Sequence, residues 1–365
     1  MNPEVSYLIG IFGLILLSWR MRIFRRQLAT PASNIDVETE SRSVSIIVPA
    51  RNEERVIGRL LQSLSNIEHP NFEVVVVDDC SSDQTAQIAS SFNVRVISGQ
   101  PRPEAWNGKQ WACHQGAIAS NGDYLIFTDA DTWHQPDSLQ SILGFMQRGQ
   151  LGMASSLPFH HCESIWEYLT GPFHILLCFA TSPFSTPKFR RVFAVGQYLA
   201  FKRSAYFELG GHEAVRQSWV EDVPMANLAL KRGIRYGLYT DRPLHQVRMY
   251  ETLSQFLAGW RRNFRAGLTE THWLAPFEIA AVFYAMTGAW QFGMNPISLV
   301  IMILTALAIL LIQRRYGNFS ILGPTLFPFS IALFCFVSIS SLTDMLFKRE
   351  AIWKGRNFSK ISSPV

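Results

Sequence analysis

YLIFTDADTW, residues Tyr124–Trp133, runs four strong strand formers into two carboxylates one residue apart. In an extended chain residues i and i+2 point to one side, so Asp129 and Asp131 can converge. Two carboxylates that close repel each other unless something cationic lies between them. Two solvated loop aspartates, one capping a helix, would need no cation. The ten residues alone leave both readings open.

Working outward, the same texture recurs. VSIIVPA (44–50) is a compact apolar run ended by a proline, the pattern of a strand buried on both faces of a parallel sheet. EERVIGRLLQSLSNI follows with helical spacing. FEVVVVDDCSSDQT (72–85) is a second strand ending in acids and a polar turn, TAQIASSF a helix, and VRVIS (94–98) a third strand. GKQWACHQGAIASN is a helix, and DYLIFTDADT is the fourth strand. Alternating strands and helices predict an α/β domain with a mainly parallel central sheet. Ligands of such sheets bind beyond the carboxyl ends of the strands. Asp78, Asp79, Asp129 and Asp131 all fall at such ends.

Composition adds a membrane component. The 365 residues are 48% hydrophobic and 13% aromatic, with mean hydropathy above zero. Net charge is +5. Neither zinc-finger spacing nor an RNA-binding aromatic signature occurs, so anionic lipid or a phosphorylated substrate suits the basic surface better than nucleic acid. Five cysteines without CxxC spacing argue against a disulfide framework or a zinc site and fit a reducing compartment. His160-His161-Cys162 are adjacent and diverge, with no second ligand pair at suitable spacing.

The apolar run Val5–Trp19 is followed by Arg20, Arg22, Arg25 and Arg26, the reverse of a cleavable leader. It reads as an anchor (1–19) whose following residues are cytoplasmic, with a buried N-terminal helix as the alternative. Residues 20–42 read as a basic juxtamembrane segment and linker, 43–270 as the α/β domain, 271–347 as a C-terminal membrane region and 348–365 as a basic tail. Three apolar stretches, 276–293, 296–312 and 322–340, lie in the C-terminal region. One N-terminal and three C-terminal spans would put the basic tail outside, against the positive-inside rule. Either the proline-bearing 322–340 is re-entrant or one stretch does not span. The stretch 168–184, broken by Gly-Pro and Ser-Pro, reads as interfacial or buried.

VSIIVPARNEE, VVVVDDCSSDQT, WNGKQWACHQG, FTDADT and SWVEDV stand in the order seen in family-2 glycosyltransferases, and the chain resembles them over about residues 43–270. Within that family it is similar to bacterial carotenoid-acid and hopanoid-associated enzymes and, more distantly, to ceramide glucosyltransferases. The resemblance implies a GT-A nucleotide-sugar fold. It implies that Asp129 and Asp131 hold a divalent metal, Mg²⁺ or Mn²⁺, on the donor diphosphate. Hard cations of this kind prefer oxygen ligands. Asp78 and Asp79 match the nucleotide-binding acids; turn-forming or capping acids are the alternative. Pro49, Ala50, Arg51 and Glu53 match the loop around the nucleotide, though Arg51 alone also reads as a surface charge. Lys109 matches a basic residue near the diphosphate, and a solvated lysine is the bland reading.

Glu221 and Asp222 match the family's acidic pair, with Asp222 at the general-base position. A helix N-terminal acid pair would look the same. A carboxylic-acid acceptor is already ionised near neutral pH, and Asp222 would then position more than deprotonate. Gly210-Gly211 supply a tight turn on the acceptor side. His212 faces donor sugar or acceptor, or is a satisfied structural histidine. In GWRRNFRAG, Trp260 precedes Arg261-Arg262, so the Q-x-x-R-W element of processive synthases is not matched. Trp260 and Arg262 either cover the diphosphate or lie on a basic amphipathic helix at a membrane surface. The implied activity is inverting, metal-dependent transfer of a hexose, glucose from UDP-glucose, to a lipid such as a carotenoid or hopanoid. The enzyme would sit at a bacterial-type inner membrane with its catalytic domain cytoplasmic. The alternatives are a processive polysaccharide synthase and an inactive membrane scaffold.

Overall fold

Helix α1 spans Pro3–Leu28. Strands and helices then alternate as β1 (Val44–Ala50), α2 (Ile57–Leu64), β2 (Phe72–Asp78), α3 (Thr85–Ser90), β3 (Arg95–Ser98), α4 (Gly108–Ala119) and β4 (Tyr124–Thr128). They continue as β5 (Thr132–His134), α5 (Ser138–Arg148), β6 (Met153–Ser156), β7 (Phe159–His160), α6 (Ile165–Tyr168), β8 (Tyr198–Lys202) and α7 (Arg203–Glu208). After a 3₁₀ turn at Gly211–Val215 come α8 (Asp222–Lys231), β9 (Tyr236–Tyr239), β10 (His245–Val247), α9 (Leu253–Glu270), α10 (Pro296–Gln313) and α11 (Phe327–Leu346). This computed structural model describes residues 3–28, 42–171, 173–174, 193–218, 220–270, 277, 280–281, 284, 295–321, 327–347, 352–353 and 356–357. The chain divides into two units that interleave along the sequence: Met1–Thr30, His160–Arg191 and Arg248–Arg349 form one, and Pro31–Phe159, Val192–Val247 and Glu350–Val365 the other. Helix α9, placed by the sequence in the α/β domain, belongs with the helical unit.

The α/β unit is built on a seven-stranded sheet of order β3-β2-β1-β4-β8-β6-β9. β1 pairs in parallel with β2 and β4, and β2 with β3. β8 pairs antiparallel with β4 and β6, so it runs against the rest. Alternation along β1 explains the unbroken apolar run. Ile46, Val48 and Ala50 enter one core with Leu60, Leu61 and Ile142, from α2 and α5. Ile47 enters the other with Cys113 and Ala117 of α4 and Met225 and Ala229 of α8. Helices thus cover both faces, as a continuous apolar strand demands.

The β1–β4 ladder ends at Ile47↔Phe127, whereas β1–β2 pairing continues to Ala50↔Asp78. Pro49, which has no N–H to donate, falls where β4 has already parted from β1. The strand order also reverses here, with β2 and β3 on one side of β1 and β4 on the other. This is the switch point at which open α/β sheets bind ligands.

In the helical unit α1 packs along α10, and α9 along α11. α1 continues unbroken past Trp19 through the arginine-rich segment. Among the described residues, α10 is the one helix long and apolar enough, by length and composition, to cross a membrane; the apolar Tyr7–Leu16 and Ala332–Asp344 are shorter. Most of 276–293, and 168–184 beyond His174, lie outside the described residues. The described part of 322–340 is helical, and Pro328 occupies the first turn of α11, where no N–H is required.

Candidate functional site

The Asp129-Ala130-Asp131 turn joins β4 to β5. Ala130 is buried in the core under α2 and α5, which anchors the middle of the turn. Thr132 Oγ1 donates to Asp129 O (2.8 Å), and Thr128 Oγ1 lies 2.9 Å from Thr132 Oγ1 and donates to Gln197 O (3.0 Å). Two threonines flanking the acids, with no visible role in the sequence, close the loop that carries them.

Lys109 projects from the first turn of α4. Its Nζ lies 2.7 Å from Asp129 Oδ1 and 2.5 Å from Glu221 Oε1. Asn107, preceding the helix, does not cap it. Asn107 Nδ2 instead donates to Ser218 O (2.7 Å), as does Gln110 Nε2 (3.0 Å), and Asn107 N donates to Arg216 O (2.8 Å). These three bonds tie the Lys109 turn to the loop leading into Glu221-Asp222. Burial alone would lower the lysine's affinity for its proton. The Asp129 and Glu221 carboxylates outweigh it and hold the ammonium well above the usual lysine range.

Asp222 begins α8. Its Oδ2 accepts from Gly196 N (2.9 Å) and its Oδ1 from Val223 N (2.7 Å). Burial, then the neighbouring Glu221 carboxylate, push its pKa up to about 7, against the opposing pull of Val223 N–H, Lys109 and Gly196 N–H. Such a value suits a general base at neutral pH. A Cβ at Gly196 would lie 2.7 Å from Glu221 Oε1. A glycine with no motif around it is therefore what admits the acid pair.

At the ends of β1 and β2, Arg51 Nη1 donates to Asp79 O (2.5 Å) and Cys80 O (3.1 Å). Asn52 Oδ1 accepts from Ser82 N (2.9 Å), and Glu53 N donates to Thr85 Oγ1 (2.7 Å). Asn52 and Cys80 both have positive φ, 51° and 55°. Arg51 thus locks one loop to the other. Asp78 Oδ2 accepts from Ser81 N (3.3 Å), while its buried Oδ1 has no hydrogen-bond partner among the described residues. A donor from a ligand would satisfy it.

His212 is fully buried; its Nδ1 meets Tyr206 OH at 2.8 Å and its ring packs edge-on to Phe127, 4.6 Å between centroids. Burial, with Lys109 and His114 nearby, lowers its pKa to about 3. It is a neutral packing residue, and the alternative of a solvent-side contact to sugar or acceptor is not what the structure presents. Gly210 and Gly211 have φ of +78° and +54°, and a Cβ at Gly211 would strike the Tyr206 ring at 2.7 Å. The pair serves this packing. Trp260 is 1% exposed, in an aromatic cluster of the helical unit with Phe173, Tyr250 and Phe256. Its bulk is spent on that core and not on a ligand surface. Arg262 follows on the same helix, α9. No group of three or more His, Cys, Asp or Glu with metal-binding geometry occurs among the described residues.

Residues 45–218 match the family model described as Glycosyl transferase family 2. The 4,4'-diaponeurosporenoate glycosyltransferase of Staphylococcus haemolyticus is 28% identical over 378 residues, covering 98% of this chain and 100% of that protein. The enzyme of the same name from Staphylococcus aureus strain N315 is 27% identical over 351 residues, covering 92% of each. Among solved structures, the mannosyltransferase of Pyrobaculum calidifontis in complex with GDP-Man and Mn²⁺ superposes with a TM-score of 0.56 at 18% identity, over 94% of this chain and 100% of that one. At that identity the likeness is one of fold.

Proposed function

Residues 45–218 are a glycosyltransferase family 2 domain, and on that premise we propose that the chain moves a hexose from a nucleotide diphosphate sugar to a lipid acceptor of carotenoid type. The observation that carries this reading is the Lys109 ammonium held between Asp129 and Glu221. It joins the carboxylates suited to the donor with the acid pair suited to the acceptor.

The donor set suits a divalent ion. Asp129 and Asp131 offer hard carboxylate oxygens across one residue, as Mg²⁺ and Mn²⁺ prefer when they share ligands with phosphates. An ion there would neutralise charge on the leaving diphosphate. The Pyrobaculum enzyme carries Mn²⁺ and GDP-Man on the same fold. Lys109 adds a fixed positive charge on the diphosphate side. Asp78 and Asp79, with the loop that Arg51 braces, take the nucleoside. Asp222 accepts the proton of an acceptor hydroxyl as its oxygen attacks the anomeric carbon, and Gly196 N–H and Val223 N–H hold the carboxylate in place. A single in-line displacement inverts an α-linked donor to a β-linked product. UDP-glucose is the proposed donor. The exposed apolar side chains of α10, among them Val300, Ile303 and Leu307, suit attachment to the membrane in which such an acceptor dissolves.

The test is product identification. Membranes containing the protein receive several nucleotide sugars and a carotenoid-acid or hopanoid acceptor, and the lipid product is identified by mass spectrometry and its anomeric proton by NMR. A β-hexosyl lipid formed from UDP-glucose supports the reading. Absence of transfer from every donor by folded protein supplied with Mn²⁺ refutes it.

A further inference from the structure

We infer that His134, as its Nε2–H tautomer, is a positioning residue that holds the Asp129–Asp131 turn in shape through Thr128 and Thr132. The inference rests on the metal-dependent reading of that turn. It starts from a hydrogen count. Thr128 Oγ1 faces three partners: Gln197 O at 3.0 Å, Thr132 Oγ1 at 2.9 Å and His134 Nε2 at 2.9 Å. Thr132 Oγ1 also faces Asp129 O at 2.8 Å. Each hydroxyl has one hydrogen to give. Gln197 O and Asp129 O can only accept; Asp129 O also receives Thr132 N (3.3 Å), whereas Gln197 O takes the Thr128 hydroxyl hydrogen. A hydrogen directed from Thr128 to His134 would strip a bond from Gln197 O. With the Thr128 hydrogen on Gln197 O, the 2.9 Å contact to His134 is a hydrogen bond only when Nε2 donates. On the far side of the ring, no hydrogen-bond partner among the described residues reaches His134 Nδ1, so nothing holds a hydrogen there.

The surroundings fix the ring. His134 is 4% exposed, its backbone N donates to Ser63 Oγ (2.9 Å), and it pairs across β5–β10 with His245. The Tyr198 and His245 rings pack beside it at 5.2 and 6.1 Å. Burial lowers its pKa to about 3, so the imidazole is neutral and has a single ring hydrogen to place. Groups that hold metal ligands in place by hydrogen bonds typically change metal affinity about 10–100-fold when lost; here the bonds run through the threonines to the Asp129 backbone carbonyl.

The test combines a spectroscopic signature with a rescue. In protein carrying ¹⁵N-labelled histidine, His134 is expected to show hydrogen on Nε2 only. His134→Gln places an amide near the Nε2 position, whereas His134→Asn places one near Nδ1. With Mn²⁺ and UDP as probes and no acceptor, Mn²⁺ binding read by electron paramagnetic resonance should weaken about 10–100-fold in His134→Asn and His134→Leu and recover in His134→Gln. A hydrogen on Nδ1 in the wild type overturns the inference. So does wild-type affinity in His134→Leu, or equal loss in all three variants. Wild type that binds no Mn²⁺ overturns the metal reading itself, and the inference with it.

Discussion

Lys109→Met keeps the length of the side chain and removes its charge. The ammonium lies 2.7 Å from Asp129 and 2.5 Å from Glu221, and the Glu221 side chain is only 7% exposed. Deleting one partner of a buried pair costs about 3–5 kcal/mol, because the other charge stays behind unpaired. Lys109 and Asp129 are 23% and 28% exposed, so water screens part of that loss. We expect about 2–3 kcal/mol after this discount. For a unit of this size that is a fall in Tm of about 4–12 °C. The sign with pH follows from linkage. Lys109 has its pKa raised on folding, so its stabilisation is complete below the ordinary lysine value of about 10.4 and is lost as pH rises from there through the folded one. The variant's deficit should therefore hold from neutral pH to about pH 9. Transfer should fall about 10²–10³-fold, the usual loss when a fixed electrostatic donor is removed. Thermal unfolding in detergent and label transfer to lipid read the two effects. A Lys109→Met protein with unchanged Tm and transfer would refute the bridging role.

Asp222→Asn removes the proton acceptor and should lower transfer to a hydroxyl acceptor about 10²–10⁴-fold with the fold retained. Because Asp222 works ionised and its pKa is pushed up to about 7, kcat/KM should rise with pH through about 7 and level off above it. A carboxylic-acid acceptor, already ionised, should flatten that profile, and a flat profile with a hydroxyl acceptor would count against Asp222 as the base. Gly211→Ala should destabilise well beyond Gly233→Ala: both have positive φ, but a Cβ at Gly211 meets the Tyr206 ring at 2.7 Å and one at Gly233 meets nothing within 4 Å. The Gly233 change should cost about 1–2 kcal/mol, the ordinary left-handed penalty, and equal Tm losses would refute the packing role of Gly211.

What sequence could reveal was whatever local pattern dictates. VSIIVPA needs no partner to be read as doubly buried, because all of its residues but Ser45 are apolar and they do not alternate with polar ones, and β1 indeed feeds cores on both sheet faces. The acids of β2 and β4 were legible as strand-end residues for the same reason. The bonds that aim them were not. Asn107 and Gln110 reach Ser218 O more than a hundred positions away, and Gly196 matters only because Glu221 packs against it. His212 and Trp260 show the opposite failure. Residue types often found at ligands were here drawn into cores, His212 by Phe127 and Tyr206, Trp260 by Phe173 and Phe256. Nor does linear order reveal that α9 leaves the α/β unit, since an amphipathic helix carries no mark of which core it will join.

The most direct test of the central claim is incorporation of label from UDP-[¹⁴C]glucose into extractable lipid by purified protein, with and without Mn²⁺. The site described here predicts label with wild type and Mn²⁺, background counts after chelation, and background counts for Asp131→Ala under both conditions. Equal label after chelation, or full label in Asp131→Ala, would contradict it.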